Sequence, residues 1–282
     1  MIRLCAFSDE ADASLSGQID ALHRNAIALT ELRSVGGKNV SKLTEREAKE
    51  IYNTLKQEGI AVWALGSPLG KAEIDVDFTQ YLEEVKHVCA LACALGTDKI
   101  RAFSFFHAEG QRQKVLDRLN RMAETAKAFG VTLYHENEKE IYGDIASRVF
   151  DLMENLHGWE FVYDPANFIQ VGEPSQKTLP LFAHRCAYYH IKDVIAETGE
   201  LVPAGCGDGD LRGLIAGIAK DTVLTIEPHL AVFEGYAQID GSQMKHKFRF
   251  ESKGQAFDRA AAVLKELLAQ TGYREADGGY IK

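Results

Sequence analysis

Four short stretches of this 282-residue chain end strand-forming runs in side chains that can hold a metal ion: "HENE" with Glu136, "YDPANF" with Asp164, "YYHIKDV" with His190 and "TIEPH" with Glu227. The third is the hardest to read as an ordinary strand. Two tyrosines and an isoleucine favour a pleated strand, yet they carry His190, Lys192 and Asp193 into a place where a core should close. Three carboxylates and one imidazole form a donor set dominated by hard oxygen. Such a set suits Mn²⁺, Mg²⁺ or Co²⁺ better than a sulfur-rich structural zinc site. Each residue alone has a plainer reading, since a strand-end Glu is usually solvated or salt-bridged and a lone His is more often structural. Four of them on successive strand ends favour the metal.

Side chains from four strands converge only if those strands lie side by side and point the same way. Short β-branched or aromatic runs occur at 3–9, 28–35, 61–68, 98–106, 131–138, 160–167, 186–193 and 222–229. Their starts are about 25 to 37 residues apart, the length of a strand plus a crossover helix. Helical periodicity fills the gaps in "TEREAKEIYNTLKQEG", "FTQYLEEVKHVCALACALG" and "VLDRLNRMAETAKAFG", and the last helix is "AFDRAAAVLKELLAQTG". Several of these segments end at a Gly suited to a helix C-cap. Eight such units predict an α/β fold, a single (β/α)8 TIM barrel over 1–282, with its active face at the C-terminal strand ends. A doubly wound open sheet would want a Gly-rich phosphate turn after an early strand, and "FSDEADASL" offers none. Period-2 alternation then places Tyr134 with Glu136, Val162 with Asp164, Tyr188 and Lys192 with His190, and Thr225 and His229 with Glu227.

The composition agrees with one soluble domain, 46% of it hydrophobic. No run approaches a membrane span, and "MIRLCAFSDE" reaches charge too soon for a signal peptide, so a cytoplasmic location is expected. The five cysteines are odd in number and scattered, which suits reduced thiols; Cys89 and Cys93 read as small core residues. A net charge of −9 argues against a nucleic-acid or anionic-membrane surface. The expected partner is a small carbohydrate, and a homo-oligomer is left open.

"HENE", "YDPANF", "HIKD" and "TIEPH", in this order, resemble the xylose isomerase-like TIM barrels, the broad sugar phosphate isomerase/epimerase group. "ELR" at 31–33, "GSPLGK" at 66–71 and "GCGDGD" at 205–210 resemble recurrent segments of the same family. The resemblance implies that Glu136, Asp164, His190 and Glu227 hold a divalent metal, commonly Mn²⁺. It further implies that Glu136 and Glu227 are the acid/base pair, as in the ketose epimerases of the group. Some of those epimerases have a His where this chain has Asn167, and many members have one where it has Glu138.

The expected chemistry is removal of a proton beside a carbonyl and its return elsewhere, through an enediolate. Arg33, Lys71, Arg101, His107, Asn167, Lys192 and His229 are the candidate substrate-binding residues at or beyond strand ends. The plainer reading makes Arg33 and Glu31 a barrel-interior ion pair, and gives Lys192 and Asp193 the role of supporting a loop. The glycines of "AGCGDGDL" follow the seventh strand, where many barrels bind phosphate, but Asp208 and Asp210 would repel it. An unphosphorylated sugar, polyol ketone or sugar acid is therefore expected. A metal-dependent dehydratase or lyase on a related hydroxy-ketone would use the same groups, and a non-catalytic sugar-binding subunit is a third reading. An endonuclease of the related repair type would need a His-rich three-metal cluster and a basic face, which this chain lacks.

Overall fold

Strand β1 (Ile2–Ala6) has parallel neighbours on both sides: β2 (Leu29–Leu32) and β8 (Thr222–Ile226). The β1–β8 ladder runs from Ile2 opposite Thr222 to Ala6 opposite Ile226, and it closes the sheet into a barrel. Between them lie β3 (Ala61–Gly66), β4 (Lys99–Ala102), β5 (Thr132–Glu136), β6 (Trp159–Tyr163) and β7 (Tyr188–Ile191), each parallel to the next. This computed structural model describes residues 1–231 and 250–282. Closure excludes the doubly wound alternative, because an open sheet has two edges and this one pairs its first strand with its eighth.

Around the barrel run α1 (Leu15–Arg24), α2 (Glu45–Gln57), α3 (Phe78–Ala94), α4 (Arg112–Lys127), α5 (Ala146–Asn155), α6 (Pro165–Gln170), α7 (Ser175–Phe182), α8 (Leu211–Gly217) and α9 (Lys253–Gln270). Helix α2 shows why these segments are helical. Thr44 Oγ1 accepts the Glu47 N–H at 3.2 Å while Glu47 Oε2 accepts the Thr44 N–H at 2.7 Å, a capping box that contributes about 1 kcal/mol. Ala48, Ile51 and Leu55 then recur at helical spacing on its buried face.

The predicted strands are all present, but all eight end earlier than their apolar runs. The residues beyond each end turn into loops that carry the polar groups. The sixth run, expected to continue to Asn167, breaks at Asp164, whose Oδ1 accepts the Asn167 N–H at 3.0 Å and so caps α6. Not anticipated was the C-terminal hairpin β9 (Arg274–Ala276) and β10 (Gly279–Ile281), which adds antiparallel to β1 at Ile2. Of the two helical cysteines only Cys89 is a core residue; Cys93 is exposed on α3.

Inside the barrel, Cys5, Tyr134, Val162, Tyr188 and Val223 form an apolar cluster, with Trp63 packed against it. Glu31, Arg101, Glu136 and His190, from the same inward parity, carry the charge. Gly66 makes room for that charge, since a Cβ there would stand 2.6 Å from Phe7 Cε1 and 3.3 Å from Arg101 Nη2.

Candidate active site

Glu136 is the last residue of β5 and His190 lies within β7, while Asp164 and Glu227 each follow the last residue of their strands. One donor atom from each of the four lies within 4.8 Å of the others, and all four residues are buried. His190 Nδ1 stands 3.0 Å from Glu136 Oε1 and 3.0 Å from Glu227 Oε2. Lys192 Nζ lies 2.9 Å from Asp164 Oδ2. Arg101 Nε is 3.1 Å from Glu136 Oε2, and Arg33 Nη1 is 3.2 Å from Glu227 Oε1. Every acid of the cluster thus faces a cation, as burial requires.

The electrostatics follow from this mutual pairing. Burial pushes the Glu136 carboxyl up, but His190 and Arg101 outweigh it and bring it to about 2. Burial acts likewise on Glu227, where Lys192 and His190 hold it well below the usual carboxylate range. Asp164 is the exception: burial dominates, and its carboxyl rises to about 6 despite Lys192. Desolvation should make the His190 ring neutral, yet the surrounding carboxylates hold its pKa well above the usual value.

The sequence-predicted residues divide between the site and its surroundings. Lys71, Arg101, Asn167, Lys192 and His229 line, with Glu136, Glu138 and Glu227, a narrow polar pocket of about 20 Å³. Lys71 Nζ pairs with Glu138 Oε2 at 3.0 Å, and Asn167 donates from Nδ2 to Glu136 Oε1 at 3.2 Å. His229 bridges two acids, with Nδ1 2.9 Å from Glu10 Oε1 and Nε2 3.3 Å from Glu227 Oε1. Burial lowers its pKa, but Glu10 more than offsets this and raises it to about 9. Arg33 does not line the pocket.

Two expectations need correction. His107 is not brought to the site: its side chain is 81% exposed and pairs with Glu73 at 2.8 Å, because Phe105 and His107 adopt positive φ and turn the chain outward after β4. Arg33 does not pair with Glu31. Its guanidinium forks onto Asp9 through Nε and Nη2, at 2.9 and 3.0 Å, and reaches Glu10 at 3.4 Å. Glu31 instead accepts from His190 Nε2 at 3.1 Å and from the Tyr188 hydroxyl at 3.1 Å.

Asp9, Glu10 and Asn137 were missed. Asn137 exchanges two hydrogen bonds with the Asp164 backbone, at 2.8 and 3.0 Å, and so fixes that residue's position. In the sequence, "HENE" puts Asn137 beside a candidate ligand, and "FSDEAD" puts Asp9 and Glu10 just past the first strand.

The Gly-rich loop after β7 is occupied by the protein's own carboxylate. Asp193 accepts the N–H groups of Gly205, Gly207 and Gly209 at 2.8, 3.0 and 2.9 Å, and that of Val194 at 2.9 Å. These donors are therefore taken before any phosphate arrives.

The cluster fits a divalent ion. Asp164 Oδ2 and Glu227 Oε2 are buried and accept no hydrogen bond of good geometry, although a cation stands near each. With His190 and Glu136 they offer three hard oxygens and one nitrogen, all within 4.8 Å of one another.

Comparison with known proteins places this arrangement in context. Residues 25–231 match the family described as xylose isomerase-like TIM barrel. No curated protein sequence matches significantly. Among solved structures, L-ribulose 3-epimerase shares 18% identity, with 96% of each chain covered and a TM-score of 0.72. The probable 3-DHS dehydratase AsbF of Bacillus anthracis shares 16% over 94% of this chain and 99% of its own, also at 0.72. The IOLI protein with a bound zinc atom shares 14% over 95% and 99%, at 0.70. At these identities the likeness is one of fold. Among the described residues no helix is long and apolar enough to cross a membrane.

Proposed function

The chain belongs to the xylose isomerase-like TIM barrel family, and from that premise we propose that it is a divalent-metal-dependent isomerase or epimerase of an unphosphorylated sugar, polyol ketone or sugar acid. The observation that carries this reading is the placement of Glu136 and Glu227. They reach the pocket from β5 and from beyond β8, and each brings a carboxylate oxygen to 3.0 Å from His190 Nδ1. One carboxylate takes the proton from the carbon beside the carbonyl, and the other returns a proton at the opposite face or the neighbouring atom. Arg101 and Asn167 hold Glu136, while Arg33 and His229 hold Glu227, so neither base has to reorganise as charge moves.

Glu136, Asp164, His190 and Glu227 would hold the ion, with Mn²⁺ favoured by the oxygen-rich set and Mg²⁺ or Co²⁺ as other candidates. When bound, such an ion supplies positive charge beside the substrate oxygens where negative charge develops. The residues around it bind and orient. Lys71 and Lys192 present ammonium groups suited to hydroxyl groups or one carboxylate, while Asn167 spends both its Nδ2 hydrogens on Glu136 and the Asn137 carbonyl. The Asp193-filled glycine loop supports an unphosphorylated substrate.

A dehydratase reading is favoured by one observation. Lys192 is a buried ammonium on the pocket wall, suited to hydrogen-bond a leaving hydroxyl and so ease its departure. The test for both is one panel of ketoses, inososes and dehydroshikimate-like acids, followed by NMR in D₂O with added Mn²⁺. Epimerisation or isomerisation with deuterium on the carbon beside the carbonyl supports the main reading, and loss of water supports the second. A metal-loaded protein that binds a panel member but leaves every one unchanged contradicts both, in favour of a sugar-binding barrel.

A further inference from the structure

Glu31 lies in β2, has no exposed surface, and does not line the pocket. Its carboxylate is nonetheless tied to three of the strands that build the site. Oε2 accepts from His190 Nε2 at 3.1 Å and from Thr225 Oγ1 at 3.2 Å, and Oε1 accepts from the Tyr188 hydroxyl at 3.1 Å. Arg101 Nε, which also faces Glu136, is 3.8 Å from the same Oε1. A buried acid with this many partners is held in one position by its neighbours.

That position matters for His190, whose two ring nitrogens face different surroundings. Nδ1 faces Glu136 and Glu227, and Nε2 faces Glu31. An ionised carboxylate can only accept, so Nε2 must carry a hydrogen to bond with Glu31. In the neutral ring this leaves the lone pair on Nδ1, on the side where the other candidate ligands converge. Aromatic neighbours hold the ring plane, with Phe7 and Tyr188 edge-on at centroid distances of 5.2 and 5.6 Å. Thr225 stands opposite His190 in the β7–β8 register, two residues before Glu227, so Glu31 also ties two ligand-bearing strands together.

We propose that Glu31 is a positioning residue of the metal centre: it holds His190 in the Nε2–H tautomer, with the Nδ1 lone pair turned toward Glu136, Asp164 and Glu227. This rests on the metal reading given above. A carboxylate behind a ligating histidine fixes its orientation and strengthens it as a donor, and removing such a partner typically weakens metal binding by about 10- to 100-fold. A merely structural Glu31 would make a different prediction, since its loss would lower the melting temperature and leave zinc affinity and tautomer alone.

The experiment uses Zn²⁺ as the probe, on the full chain and on Glu31→Gln. Gln keeps the size and one acceptor oxygen but loses the charge. Zinc affinity is read by competition with a chromophoric chelator, and the His190 tautomer by long-range ¹H–¹⁵N correlation of the zinc-loaded parent protein. The expected results are an Nε2–H tautomer with Nδ1 bound to zinc, and affinity about 10- to 100-fold weaker in Glu31→Gln. An Nδ1–H tautomer in the parent, or parental affinity in a folded Glu31→Gln, overturns the proposal while leaving the metal site standing. A parent that binds no zinc overturns the metal reading and this inference together. Should Glu31→Gln fail to fold, the parent's tautomer decides alone.

Discussion

Lys192 Nζ lies 2.9 Å from Asp164 Oδ2, and the two side chains are only 5% and 0% exposed. An ammonium in that place supplies the positive charge that a metal ion would supply to the same carboxylate. On the proposed metal reading, a bound ion would take over that charge and leave Lys192 for a substrate in the pocket.

Replacing Lys192 by Met should cost the metal-free protein about 3–5 kcal/mol, the usual penalty for leaving one partner of a buried pair alone. Saturating Mn²⁺ should shrink that loss, since the ion faces Asp164 itself. Urea unfolding of both proteins with and without Mn²⁺ checks this. An equal loss in the two conditions would separate Lys192 from the metal site.

The barrel was legible in the sequence because eight β-branched runs recur at crossover spacing, and the four ligand candidates were legible because period-2 parity sent them inward with apolar neighbours. What was not legible depends on angles between strands. "ALTELRSV" shows Glu31 and Arg33 on one face, which suggested that they pair, but the two point to different layers, Arg33 to the loop after β1 and Glu31 to β7. His107 follows the fourth strand at a distance that suits a mouth residue. Positive φ at Phe105 and His107 sends it to the surface, and Phe, unlike His, is not a residue type that announces such a turn.

His135 sits beside Glu136 in sequence but points to the helix layer, where its Nε2 lies 2.9 Å from Ser104 Oγ. Burial lowers its pKa to about 3, with Glu136 acting weakly the other way. Below about pH 6.5 the unfolded chain takes up a proton on this ring and the folded chain does not, so the residue reduces stability as pH falls from about 6.5 to 3. His190 and His229 have the opposite sign. Their contribution is complete below about pH 6.5 and is lost as pH rises, for His229 through about 9. His135→Asn should therefore flatten the acid limb of the stability profile by up to roughly 1.4 kcal/mol per pH unit relative to the parent. Parallel profiles for the two proteins would contradict the assignment.

Asp193→Asn should loosen the loop at 205–209 without disturbing the proposed metal site. An amide offers one acceptor oxygen where the carboxylate offers two, so at least one of the Gly205, Gly207 and Gly209 N–H groups loses its partner. Their hydrogen exchange should accelerate by roughly tenfold or more, and inorganic phosphate should leave these amides unshifted in the parent. Unchanged exchange, or phosphate-induced shifts, would mean that the loop is available to ligands after all.

Proton transfer by Glu136 and Glu227 is the central claim. It is tested most directly with Glu136→Gln and Glu227→Gln at saturating Mn²⁺, in D₂O, on whichever substrate the panel identifies. Both variants should keep most of their substrate binding, lose turnover by about 10²- to 10⁴-fold, and lose deuterium incorporation beside the carbonyl to the same extent. Variants that hold their metal fully and turn over and exchange at the parental rate would contradict the account, and would move the chemistry to another group in the pocket.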